Sequence, residues 1–112
     1  FASGELKHGT IALITDGVPV VVNATQSDLF EKSVSNIKEV TSRGAYVIAI
    51  AKEGNTVVEE VADEVFYIPD VEDDYAGFPT IVIHQLLAYY LSKLKGNDVD
   101  KPRNLAKSVT VE

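Results

Sequence analysis

Two short runs of apolar residues without a polar break stand out along the chain, at residues 18–22 and 46–51. Their β-branched content and lack of alternation predict strands buried on both faces, as in a parallel sheet. Asp16 and Gly17, followed by Pro19, mark a turn into the first run. Between the runs Leu29, Phe30, Ser33, Val34, Ile37 and Val40 recur at steps of three and four, which predicts a helix. The polar cluster at 24–28 offers N-cap candidates, and Arg43 with Gly44 suits the helix end. Residues 64–68 read as a third, shorter strand stopped by Pro69, and residues 79–95 as a long apolar helix with Pro79 in its first turn and Gly96 past its end. Apolar residues occupy more than one face of that helix, so it is expected to be well buried or packed against a partner. Two stretches are less regular: 5–14 reads as a helical turn around Gly9, and 56–62 as a short helix or irregular connection. The acidic run 70–74 reads as a solvated loop.

The order strand, helix, strand, strand, helix predicts an α/β protein, a three-layer α/β/α sandwich around a parallel sheet of flavodoxin-like type. Three strands make a thin sheet, and the chain opens on Phe1 and contains no methionine. It is therefore expected to be a piece of a longer protein, without the first strand and helix of its domain. At 112 residues the piece is one domain at most.

Composition narrows the chemistry. With 17 acidic against 10 basic residues and a net charge of −7, the chain offers no electrostatic footprint for nucleic acid. No apolar run approaches the roughly 18–20 residues that span a bilayer, and no basic-then-apolar leader opens the chain; a cytoplasmic protein is expected. Cysteine is absent, which excludes disulfides and thiolate metal sites. The two histidines, His8 and His84, lie far apart, so no metal site is expected. Dinucleotide, Walker and Gly-x-Ser-x-Gly motifs are all lacking, and no cofactor is expected.

Two segments of unusual character remain. Gly4-Glu5-Leu6-Lys7-His8-Gly9 sets a carboxylate, an ammonium and an imidazole beside two glycines. Glycine lets backbone approach a ligand, and imidazole exchanges protons near neutral pH. Taken alone, a single histidine is more often structural than catalytic. In the terminal run Asp98-Val99-Asp100-Lys101-Pro102-Arg103-Asn104-Leu105-Ala106-Lys107-Ser108-Val109-Thr110-Val111-Glu112, residues 98–108 have neither helical nor strand period and by composition alone would pass for a frayed terminus.

These two segments, together with Gln85-Leu86-Leu87-Ala88-Tyr89, resemble the glutamine–fructose-6-phosphate aminotransferase (isomerizing) family over essentially the whole chain. The hexapeptide is moderately specific, because sugar isomerase (SIS) domains in general carry similar Glu-x-x-His-Gly segments. The terminal run is highly specific. The resemblance implies a parent enzyme with a glutaminase domain and two SIS domains, which passes ammonia from glutamine to fructose 6-phosphate and yields glucosamine 6-phosphate. This chain would be most of the second SIS domain (1–96) with an active-site tail (97–112), and the parent a homodimer.

By the same resemblance His8 matches a histidine that assists opening of the sugar ring across the dimer interface. Lys107 matches a tail lysine implicated in Schiff-base chemistry at the sugar carbonyl. Ala106 matches a position whose backbone touches the sugar, and Arg103 belongs to the same tail. Imidazole and a partly desolvated amine suit those tasks. Thr10 departs from the family, which often has proline there. The isomerase glutamate falls before Phe1 and is not Glu5; the phosphate loop of the first SIS domain also lies outside the chain. The piece alone is therefore expected to be inactive, and His84 is read as structural. The rival reading is a non-catalytic SIS module that senses sugar phosphates.

Overall fold

The computed structural model describes residues 1–101. Among them three strands, β1 (Pro19–Ala24), β2 (Tyr46–Lys52) and β3 (Glu64–Ile68), form one parallel sheet in the order β1-β2-β3. Register is continuous: Pro19 pairs with Tyr46 and Ala24 with Ala51, while Ile48 pairs with Glu64 and Lys52 with Ile68. Parallel neighbours need a crossover. Between β1 and β2 it is the helix α1 (Phe30–Thr41); between β2 and β3 it is the 3₁₀ turn Thr56–Glu60. The α/β expectation with a parallel sheet holds.

Alternation along β2 explains the core. Val47, Ala49 and Ala51 point to one face and are fully buried against Ile37 and Val40 of α1 and Val58 of the following turn. Small alanines at two of these positions leave room for the larger α1 side chains. Ile50, on the opposite face, is buried too, so β2 is closed on both sides as its pattern predicts.

β1 is not. Val20 and Val22 pack on the core, but Val21 is 42% exposed, and burial alternates along the strand. The cause is position: β1 is an outer strand of the sheet and lacks the second neighbour that β2 has.

The chain divides into two compact units, Phe1–Thr80 and the part from Ile81 onward. The first holds the sheet, α1 and two 3₁₀ segments at the start, Ser3–His8 and Thr10–Leu13. The second holds most of α2 (Gly77–Leu94), which begins two residues before the position the sequence suggests. Of the two expectations for α2, burial within the chain is not what is seen: Ile81, Val82, Leu86, Tyr90 and Leu91 are each at least half exposed, which leaves packing against a partner as the other. With apolar residues on all its sides, a helix cannot hide them behind one buried stripe.

Candidate functional site

The first unit carries a cleft of about 770 Å³ at the carboxyl end of β1. In open parallel sheets this is the edge where ligands are held. One wall is the amino-terminal segment, through Ser3, Gly4 and Lys7. It is fastened to α1 by a hydrogen bond from Asn36 Nδ2 to Ser3 Oγ (3.0 Å) and an ion pair between Lys7 and Glu39 (2.8 Å). The start of α1 supplies the next wall, with Leu29, Lys32 and Ser33. Asn23, Thr25 and Gln26 lie at the end of β1, and Asp73, Ala76 and Thr80 close the far side.

Three cleft residues are polar and more than nine-tenths buried, Thr25, Ser33 and Thr80. The Thr80 hydroxyl donates to Ala76 O (2.7 Å), and among the described residues no fully buried side-chain N or O lacks a hydrogen-bond partner. Ser33 lies in the first turn of α1, which has no side-chain cap and is led by a 3₁₀ turn whose Ser27 O accepts the Phe30 N–H.

The acidic run 70–74 is more than a solvated loop. Asp73 Oδ2 accepts the Ser27 backbone N–H (2.8 Å), and its Oδ1 accepts the Ser27 hydroxyl (2.9 Å). The same Oδ1 takes the ammonium of Lys52, a buried side chain at the end of β2. The Lys52 hydrogen bond, then the two from Ser27, hold the Asp73 carboxyl below the usual aspartate range. Sequence reasoning missed this residue. The available signal was a lone lysine closing an apolar strand, which needs an anion nearby once buried.

Of the sequence-predicted residues, His8 ends the first 3₁₀ segment and is exposed. It follows Lys7 of the cleft wall but does not itself line the cleft. Gly9 comes next at φ 149°, a conformation L side chains rarely adopt, which accounts for glycine after His8, where the first 3₁₀ segment ends and the second begins. Arg103, Ala106 and Lys107 lie outside the described residues. His84 falls on α2 and is partly buried.

Residues 1–94 match the SIS domain. The chain belongs to the SIS domain family. Its SIS relatives are informative in their names. Over all 112 residues it is 59% identical to the glutamine–fructose-6-phosphate aminotransferase (isomerizing) of Caldanaerobacter subterraneus subsp. tengcongensis and 62% identical to that of Clostridium acetobutylicum. The chain spans about 18% of the length of these curated relatives. A solved structure described as the C-terminal domain of glucosamine-fructose-6-phosphate aminotransferase from Francisella tularensis superposes with a TM-score of 0.76 at 33% identity, covering 87% of this chain and 28% of that one. The resemblance read from the hexapeptide and the terminal run is thus to the enzymes these SIS relatives are named for.

Proposed function

We propose that this chain is the carboxyl-terminal part of the isomerase region of a glutamine-dependent fructose-6-phosphate aminotransferase, in which residues 1–96 form an SIS module and 97–112 a tail reaching the sugar. The observation that carries this reading is identity of 59–62% maintained across all 112 residues, the terminal run included. In the parent, His8 passes the ring-opening proton and Lys107 attacks the open-chain carbonyl, while Ala106 and Arg103 seat the tail. The exposed imidazole of His8 agrees with a histidine offered to a neighbouring subunit of a homodimer. The glutaminase domain supplies ammonia, the first SIS domain the phosphate loop, and the stretch of the parent shortly before Phe1 the isomerase glutamate. The enzyme works in the cytoplasm on a small sugar phosphate, without nucleic acid, membrane or cofactor.

A second reading, an SIS module that senses sugar phosphates without catalysis, is favoured by one observation. The cleft of the first unit, at the carboxyl end of β1 and the start of α1, is lined by the small hydroxyl residues Thr25, Ser33 and Thr80.

A segment exchange separates the two. This chain replaces the matching 112 residues of the Clostridium acetobutylicum relative, and glucosamine 6-phosphate is measured with fructose 6-phosphate and glutamine as substrates. The aminotransferase reading expects turnover within about tenfold of the unexchanged enzyme, since roughly 1.4 kcal/mol of altered fit corresponds to that factor. It also expects no turnover from the chain alone. A folded but inactive exchange protein, with fructose 6-phosphate shifting the Thr25 and Ser33 NMR signals of the isolated chain, would favour the sensor.

A further inference from the structure

Asp73 joins segments that are distant in sequence. Its carboxylate receives the backbone N–H and hydroxyl of Ser27, on the connection from β1 to α1, and the ammonium of Lys52, at the end of β2. We propose that Asp73 is a positioning residue for the cleft, holding the β1–α1 connection in its cleft-forming shape by clamping Ser27 against the end of β2.

The geometry favours a clamp over an incidental contact. Two bonds from one residue to the two oxygens of one carboxylate fix direction as well as distance. Thr25 and Gln26 immediately precede Ser27 and both line the cleft, so fixing Ser27 fixes where they stand. Lys52 explains why the clamp is charged: its side chain is only 6% exposed, and a buried ammonium requires an anion. Lys52 is the charged group facing Asp73 from β2; Lys7 and Lys32 border the same cleft from the amino-terminal segment and α1. Asp73 ionises below the ordinary aspartate range in the folded chain. Its contribution is therefore complete above the unfolded value, near pH 4, and is lost as pH falls through the folded value. This inference goes beyond the proposed function, because the clamp is read without reference to any reaction.

Backbone NMR of this chain tests it. On acidification the Ser27 amide proton should move upfield, reporting Asp73, with a midpoint below about pH 4. Asp73→Asn should abolish that titration and speed amide exchange at Thr25, Gln26 and Ser27 by about tenfold or more, leaving Val47 and Ala49 in the core within about twofold. Lys52→Met keeps the Ser27 bonds and should raise the Ser27 midpoint towards the ordinary aspartate value. If Asp73→Asn does not fold, the wild-type titration and Lys52→Met decide. A Ser27 amide that does not titrate with Asp73 overturns the clamp; so does exchange that is unchanged at the connection, or raised equally in the core. None of these readouts depends on sugar binding, so failure of the clamp and failure of the proposed function are separate results.

Discussion

Ile37 has no exposed surface and lies at the centre of the cluster joining α1 to β2. Truncation there removes contacts on every side and leaves a cavity that rigid strands fill poorly. Ile37→Ala is expected to lower stability by about 2–5 kcal/mol, read as a reduced denaturant midpoint with an unchanged slope. Asp73 illustrates the opposite case, a residue whose role rests on its partners. Its place in an acidic run pointed to solvent, and only the fold brings Ser27 and Lys52 to it. Periodicity identifies which residues are buried, but it carries no information on which polar groups from remote segments will meet.

At the scale of elements, the turn that joins α1 to β2 is set by close approach. Ser42, Arg43 and Gly44 follow α1, and Gly44 O accepts the Gly17 N–H at 2.7 Å. A Cβ at position 44 would come within 2.7 Å of Asp16 Oδ1 and 3.0 Å of its Cα, and the backbone there has φ 88°. Gly44→Ala therefore meets both a steric and a conformational penalty, and is expected to cost about 1–3 kcal/mol. Thermal unfolding checks it, with Gly54→Ala as a control that bears the strained φ but no clash. Most elements were legible in the sequence because their signals were local: β3 has the bounds its pattern suggests, and α1 ends at Thr41, shortly before the Arg43–Gly44 stop. One expectation was not met and one was narrowed, and both concern neighbours. An unbroken apolar run cannot tell a central strand from an outer one, so Val21 was expected inside and is exposed. The same ambiguity applies to α2, whose composition says apolar without saying what covers it.

For the molecule as a whole, what the sequence made legible of the site was its chemistry, and not its geometry. His8 and the tail drew notice through motif resemblance, and the identity across all 112 residues follows the same line. The cleft did not, since its parts come from the amino-terminal segment, the end of β1, the start of α1 and the stretch before α2. No helix among the described residues is long and apolar enough to cross a membrane. The proposed function requires above all that the segment supply working groups to an aminotransferase site. Its most direct test is glucosamine 6-phosphate formation by the exchanged Clostridium acetobutylicum enzyme carrying Lys107→Ala. An amine that forms a covalent bond to substrate cannot be replaced by a methyl group, so kcat should fall by about a hundredfold or more while glutamine hydrolysis persists. Synthesis left at the level of the unsubstituted exchange protein would contradict the claim.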